Sequence, residues 1–394
     1  MKKVGLYSAL LLSGLIGSQW LPSVFPDLFS ALVTPIKMMT MFCLAFIMIH
    51  VGLEFEIDKS NLRQYGWDYV VAATAAAFPW ILCALYFVFV MTSAEGWFNF
   101  DAWKQSLLVS RFSAPTSAGV LFSMLAAAGL ASTWVFKKAR ILAIFDDLDT
   151  ILLMIPLKIL MVGLKWQLGV IVLVIAVLLY IAWKYLHSFK LPTSWGWILF
   201  YSALITVGCE LIYLTSRFID DLVPIHLEVL LPAFVMGCVL AHGHGSLNSK
   251  MEERISNGMT GLFMVLVGLA MPLIVASSSG TTSSTTSALI GGEWPGWGMI
   301  ITHVLVITVI SNIGKMFSLL CYRREASLKE RLALSVAMFP RGEVGAGVLV
   351  ISLSYGIGGP VVTVALLSLA LNLVMTGIFI AIVKKLLAEP QPQN

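Results

Sequence analysis

Long apolar stretches follow one another along the whole chain, and this pattern constrains the fold more than any single motif does. Hydrophobic residues make up 59% of the 394 residues and charged residues only 12%, whereas soluble domains have about 45–50% and about 25%. The composition therefore excludes a soluble enzyme, a disordered chain and a nucleic-acid-binding protein. A membrane-spanning helix needs about 20 apolar residues, so the chain has room for about a dozen.

Hydropathy and charge together predict twelve spanning helices with both chain ends in the cytoplasm. Of the 25 lysines and arginines, 17 then lie on the inner side, 3 in outer loops and 5 within spans or at their edges. By the positive-inside rule this distribution fixes the orientation of a multi-pass protein, which we expect in the inner (plasma) membrane. The first span has no A-x-A-like cleavage site, so we do not interpret it as a signal peptide. The predicted spans are 4–21, 28–52, 64–93, 105–129, 141–160, 168–186, 196–214, 225–242, 257–276, 298–320, 332–354 and 361–383.

An internal repeat relates two parts of the chain. SAGVLFSML (117–125) and GAGVLVISL (345–353) agree at five of nine positions with an offset of 228 residues. The same offset places the third span on the tenth and the fifth on the twelfth. Each partner is thus displaced by seven spans, an odd number, which gives the two units opposite orientations. Inverted repeats are typical of secondary transporters, which bind substrate where the repeats meet.

Both copies of the repeat contain residues that interrupt helices. Pro115 lies in SAPTSAG, and Pro340 lies in FPRGEVGAG. Proline removes a helical hydrogen bond, and a broken helix at membrane depth is tolerated where it lines a cavity. Close packing of small residues is the alternative interpretation. Breaks at corresponding positions of the two repeats favour a binding site.

Three acids in the fifth span are the strongest chemical signal. Asp146, Asp147 and Asp149 lie within one helical turn, and each would cost about 2.5–3.5 kcal/mol at a helix centre if ionised and unpaired. They must therefore line water, pair with a cation or hold protons, unless the span begins later and they lie among the headgroups. Lys315 in the tenth span is the candidate counter-ion. Such a coupled group can release protons and take up a small monovalent cation.

The other intramembrane charges are less specific. Glu210, Arg341 and Glu343 are interpreted as structural pairs or ion-site residues, and Arg111 as a structural or gating charge. The cysteines have no paired spacing suited to zinc or an iron–sulfur cluster, so we expect buried thiols and no resident cofactor. The cysteines are Cys43, Cys83, Cys209, Cys238 and Cys321.

Four segments, in order and spacing, resemble the monovalent cation:proton antiporters, especially the second class with its bacterial sodium/proton and potassium/proton exchangers. The resemblance implies an all-α membrane protein with inverted repeats and two broken, crossing helices. It also implies an elevator-like core (64–160 and 298–384) that moves against a dimerising panel (4–52 and 168–276). The segments are FIMIHVGLEFEIDKSNL (46–62), LPAFVMGCVLA (231–241), FMVLVGLAMPL (263–273) and PRGEVGAGVL (340–349).

The resemblance assigns roles to individual residues. Asp147 resembles the family's indispensable ion-binding aspartate, and Asp146 the first acid of its pair, which is aspartate in electrogenic members. Lys315 resembles the basic residue that pairs with this first acid when no ion is bound. Ser113 and Thr116 occupy the crossing, where family members supply backbone or hydroxyl oxygens. The transported cation would thus bind Asp147 and Asp146.

We therefore expect an electrogenic antiporter that prefers Na+, with Li+ or K+ as alternatives, surrounded by membrane lipids and assembled as a homodimer. Asp149 is an additional acid beyond the family's pair, and we include it in the candidate site. A sodium-coupled symporter of an organic anion is the alternative on the same fold. An intramembrane aspartyl protease needs its two acids on different helices, and this chain has no GxGD, so we expect no enzyme. Nothing in the sequence resembles the selectivity filter of a channel.

Overall fold

The computed structural model of the protein describes residues 2–53, 62–163, 165–219, 229–240, 250–271, 296–355 and 357–388, together with positions 225 and 227. Regular structure within these residues is helical, apart from an isolated bridge between Phe189 and Leu240. The fold class is thus all-α, as predicted. The α-helices are α1 (Lys2–Val24), α2 (Pro26–Leu53), α3 (Leu62–Tyr86), α4 (Phe100–Ser110), α5 (Ala118–Ala127), α6 (Trp134–Val162), α7 (Trp166–Lys184), α8 (Trp195–Ile219), α9 (Leu230–Val239), α10 (Lys250–Leu269), α11 (Trp297–Lys315), α12 (Ser318–Cys321), α13 (Leu328–Ala337), α14 (Glu343–Ser354) and α15 (Pro360–Ala388).

Seven apolar helical segments in the described part of the chain are long enough to cross a membrane. The 29-residue α6 is also long enough, but its three acids interrupt the apolar sequence. The predicted count of twelve spans therefore stays a prediction. The seven segments are Lys2–Val24, Phe29–Leu53, Gln64–Met91, Trp166–Lys184, Trp195–Phe218, Trp297–Cys321 and Pro360–Ala388.

Contacts divide the chain into two units. The first comprises Met1–Ser23, Leu62–Leu157 and Val267–Asn394, and the second comprises Val24–Asn61 and Lys158–Leu266. The predicted division into a moving core and a dimerising panel concerns function, and it stays a prediction.

The internal repeat organises the first unit. Shifting α6 by 228 residues moves its start from 134 to 362, two residues from the start of α15 at Pro360. The same shift places the interruption between α4 and α5 on the one between α13 and α14. The two breaks meet, because the backbone N–H of Ser117 donates to the carbonyl of Pro340 at 3.0 Å. The broken, crossing helices of the predicted fold are therefore present.

A close backbone approach joins α3 to α11, the first helices of the two repeats. A methyl group added to Gly314 would lie 2.6 Å from Cα of Pro79, so no side chain fits between the helices at this level. Gly314 directly precedes Lys315. The backbone that carries the lysine is thus packed tightly against α3.

In the second unit, α2 and α9 pack through facing glycines. A methyl group on Gly52 would run into the carbonyl of Phe234, and one on Gly237 into the carbonyl of Ile49. Gly52 and Gly237 lie in two of the segments that carry the family resemblance. The glycines are therefore needed for close helix packing.

We expect Gly237→Ala to destabilise the second unit by at least about 1–3 kcal/mol, because the added methyl group overpacks a backbone contact. The melting temperature of the purified protein in detergent measures the effect. Gly208→Ala in α8 is the matched control, since nothing lies within 4 Å of its added methyl group. The control should be neutral or stabilising by about 0.4–1 kcal/mol. Equal shifts for the two variants would contradict the packing role.

An ion pair accounts for Glu210, whose role the sequence left open. Nζ of Lys37 in α2 lies 3.0 Å from Oε2 of Glu210 in α8, and the ammonium also lies 4.8 Å from the ring centre of Tyr213. The contact joins two helices of the second unit. It supports the structural interpretation of Glu210.

Candidate functional site

The three acids lie well inside α6, which begins about three turns before Asp146. Asp146, Asp147 and Asp149 are 0%, 1% and 3% exposed. A buried carboxylate needs a counter-charge or hydrogen-bond donors, and otherwise it takes up a proton. The surroundings of each acid therefore determine what it can do.

Asp146 is held by two donors from different elements. Nζ of Lys315, also 0% exposed, lies 2.6 Å from Oδ2 of Asp146. The backbone N–H of Thr116 donates to the same oxygen at 2.9 Å. Oδ1 of Asp146 is buried and accepts no hydrogen bond from the residues that the structure describes. One carboxylate oxygen thus binds the lysine and the other is open to a further ligand.

The break before α5 explains why the N–H of Thr116 is available. After α4 the chain forms a short 3₁₀ turn (Arg111–Ser113) and then runs to Ser117, the residue before α5. N–H groups at a helix start have no partner within the helix, and they lie at the positive end of its dipole. The positive end of the α5 dipole therefore stabilises the negative charge of the Asp146 carboxylate. The Thr116 hydroxyl donates to the carbonyl of Met338 at 3.0 Å and so joins the two breaks.

Ser113 makes different contacts from those expected of an ion ligand. Its hydroxyl donates to the carbonyl of Ser110 at 2.8 Å. Its own carbonyl accepts from Nε of Arg341 at 2.9 Å. Among the described contacts, Ser113 is joined to Arg341 and not to the acids. Its role in ion binding stays a prediction.

Asp147 follows Asp146 directly on α6 and is 1% exposed. Both members of the acid pair are therefore buried on the helix whose Asp146 contacts Lys315. A cation bound between the two carboxylates would compete with the ammonium for the same negative charge. This competition is the chemistry that coupled exchange requires.

Asp149 has its own partners. The hydroxyl of Tyr69 in α3 donates to Oδ1 of Asp149 at 2.8 Å, and its ring packs edge-on against Phe145. The Asp149 backbone carbonyl accepts from Nη2 of Arg111 at 2.9 Å, and this guanidinium lies 4.7 Å from the Trp80 ring centre. The described hydrogen bonds of Asp149 thus go to α3 and Arg111 rather than to Lys315.

Arg341 joins the second break to the first break and to α11. Besides the Ser113 carbonyl, the buried guanidinium donates to Oδ1 of Asn312 at 3.0 Å and to the carbonyl of Ser311 at 3.1 Å. Sequence reasoning left its role open, although Ser113 and Arg341 are separated by the repeat offset of 228. The offset marks the two residues as equivalent positions of the repeat, and the structure shows that these positions are in contact. The side chain of Glu343, the other open charge, lies outside the described residues.

We expect Arg341→Lys to destabilise the protein by at least about 1.5–3 kcal/mol, the value of one hydrogen bond to a charged group. A lysine keeps the charge but lacks the planar fork that reaches three acceptors in different directions. Thermal unfolding in detergent measures the loss. Arg217→Lys, at an exposed position of α8, is the control, and a comparable loss there would contradict the prediction.

A sequence model of the transmembrane sodium/hydrogen exchanger family matches residues 2–386. The chain belongs to the sodium/hydrogen exchanger family. Family membership and the apolar helices together indicate that the exchanger is a multi-pass membrane protein. It supports cation/proton exchange as the activity and fits a transporter rather than an enzyme.

The fold of the exchanger is similar to that of a solved antiporter. The sodium proton antiporter MjNhaP1 from Methanocaldococcus jannaschii, at pH 8, matches with a TM-score of 0.57 and 15% sequence identity. The match covers 97% of this chain and 92% of that chain. It supports the predicted sodium/proton antiporter-like fold. No curated protein matches the sequence.

Proposed function

We propose that this exchanger moves Na+, with Li+ or K+ as alternative cations, in exchange for protons at a site formed by Asp146, Asp147 and Lys315. The observation that carries the proposal is the buried 2.6 Å contact between Lys315 and Asp146. Thr116 supports this site through its N–H. Asp149 and Ser113 lie in the same region, and we propose that they act around the site rather than as direct cation ligands.

In a buried site, charge balance favours a cycle in which a cation is exchanged for protons. Without a bound cation, the ammonium of Lys315 neutralises Asp146. A cation that binds Asp147 and Asp146 brings a second positive charge into surroundings where uncompensated charge is costly. Protons therefore leave as the cation binds, and they return when it departs. Because both a carboxyl group and the ammonium can release a proton, we propose that the exchange is electrogenic.

Alternating access follows from the family resemblance. We propose that the site opens to each side of the inner membrane in turn, in a homodimer whose termini are cytoplasmic. The distribution of basic residues supports this orientation. The density of acids disfavours an anionic substrate, so organic-anion symport has no observation in its favour.

Inside-out vesicles with a pH-sensitive dye test the proposal. Addition of Na+, Li+ or K+ should cause dequenching as protons leave the vesicles, and a membrane-potential clamp should change the rate if net charge moves. Vesicles that respond to none of the three cations would reject exchange. Sodium uptake that needs an organic anion and moves no protons would indicate symport instead.

A further inference from the structure

A second buried ion cluster lies on α6, separate from the candidate site. Nζ of Lys138 lies 2.9 Å from Oδ1 and 3.0 Å from Oδ2 of Asp68 in α3. The same ammonium lies 3.2 Å from Oε2 of Glu325, in the segment after α12. We call Asp68, Lys138, Tyr322 and Glu325 the clamp. It joins three elements of the first unit.

Tyr322 completes the clamp. Its hydroxyl donates to Oδ1 of Asp68 at 2.7 Å, and the ammonium of Lys138 lies 4.9 Å from its ring centre. Burial, followed by the negative charge of Asp68, raises the pKa of the Tyr322 phenol. The phenol therefore stays protonated and remains a hydrogen-bond donor. Trp134, the first residue of α6, packs edge-on against the same ring.

The side chains of the clamp are buried to different degrees. Asp68 and Lys138 are 1% and 7% exposed, whereas Glu325 is 32% exposed. A buried ion pair is costly to break from one side, because the remaining charge is left uncompensated. Asp68 and Lys138 therefore form the stable centre of the clamp, and Glu325 closes it at one edge.

The position of the clamp relates it to the candidate site. Lys138 precedes Asp146 on α6 by about two turns, or about 12 Å. Asp68 lies on α3, which packs tightly against the residue before Lys315 through Pro79 and Gly314. The clamp thus connects the helix that carries the acids to the pair of helices that carries the lysine. The Lys315–Asp146 contact is a second link between α6 and this pair of helices.

We propose that the clamp positions Lys315 opposite Asp146 by keeping α6 in register with α3 and α11 while the Lys315–Asp146 contact opens and re-forms. This inference rests on the proposed function, in which a cation displaces the ammonium in every cycle. During that step the direct link is lost, and the clamp preserves the geometry to which the ammonium returns. Asp68 and Lys138 are then positioning residues, which act on the cation through Lys315.

A role in stability alone and a role in positioning predict different kinetics. Loss of stability reduces the number of active molecules and so lowers the maximal rate, with an unchanged KM for the cation. A change of register alters the competition between cation and ammonium in molecules that remain folded. It therefore changes the KM for Na+, measured as the concentration that gives half-maximal dequenching.

The test compares Lys138→Gln with Lys138→Arg in vesicles matched for the amount of folded protein. We expect Lys138→Gln to change the KM for Na+ by about tenfold, equivalent to about 1.4 kcal/mol, with a smaller change in the maximal rate. Lys138→Arg keeps the charge between both carboxylates and should restore most of the KM. Lys104→Gln is the matched control, because Lys104 forms a 2.6 Å pair with Asp101, whose side chain is 67% exposed. The control should leave both constants unchanged.

Milder variants keep the test informative if Lys138→Gln does not fold. Tyr322→Phe removes one hydrogen bond to Asp68 and keeps the ring, so it should shift the KM in the same direction by a smaller factor. An unchanged KM in folded Lys138→Gln or Tyr322→Phe, with only the maximal rate lowered, would overturn the positioning role. Lack of exchange by the unmodified protein would instead reject the proposed function on which the inference rests.

Discussion

Asp147→Asn is expected to abolish cation-driven proton movement while leaving the exchanger folded. Asparagine has almost the same size as aspartate, so the buried position stays filled. It carries no charge to offset a bound cation and no proton that it can release near neutral pH. We expect the exchange rate to fall at least about hundredfold, because in the proposed mechanism the proton and the cation both bind the Asp147 carboxylate.

Dequenching in inside-out vesicles measures this loss, and thermal unfolding in detergent shows that the variant is folded. Asp101→Asn provides the matched control, since the same chemical change is made at a largely exposed carboxylate. The control should exchange at the unmodified rate. Persistent sodium-driven proton movement in folded Asp147→Asn would remove Asp147 from the proposed mechanism.

The second large effect is expected for Lys315→Ala, which should change coupling more than folding. Without the ammonium, the site has lost one of its proton-releasing groups, so fewer charges should move for each cation. Exchange should then continue at a lower rate and lose most of its response to the membrane potential. Rates with and without a potential clamp measure this change directly. An unaltered response to potential would contradict the proposed role of the lysine.

Stability gives an independent readout of the same pair. Removing one partner of a buried ion pair costs about 3–5 kcal/mol when the remaining charge is uncompensated. Asp146 retains the Thr116 N–H and can take up a proton instead of staying charged, so the loss should be smaller than that. The double variant Asp146→Asn/Lys315→Gln should melt at a higher temperature than Lys315→Ala, because it lacks the Asp146 carboxylate that Lys315→Ala leaves without its ammonium.

The sequence indicated the parts of the site that depend on rare residues. Ionisable side chains in apolar spans are so costly that Asp146, Asp147 and Lys315 could be singled out without a structure. The breaks could be predicted because Pro115 and Pro340 stand at related positions of a repeat. The structure places Lys315 against Asp146 and one break against the other, whereas the roles of these residues in ion binding await the experiments above.

Other features depend on packing that no local pattern reveals. Tyr69 is an ordinary aromatic residue in sequence, and only the register of α3 against α6 brings its hydroxyl to Asp149. The Asp68–Lys138 pair spans 70 residues and has no motif. Ser113 was assigned to the ion site from the resemblance, but a hydroxyl in a tight turn can bond to its own backbone, as it does here with Ser110.

The tight approach of Gly314 to Pro79 has a consequence for how the lysine can withdraw from the acid. Since the backbones of α3 and α11 touch immediately before Lys315, sliding of one helix along the other would drive main-chain atoms into each other. With the backbone before Lys315 packed in this way, we expect the ammonium to withdraw by rotation about the bonds of its own side chain. The length of the lysine side chain then limits how far the ammonium moves, so it stays close to the Asp146 carboxylate after their contact opens.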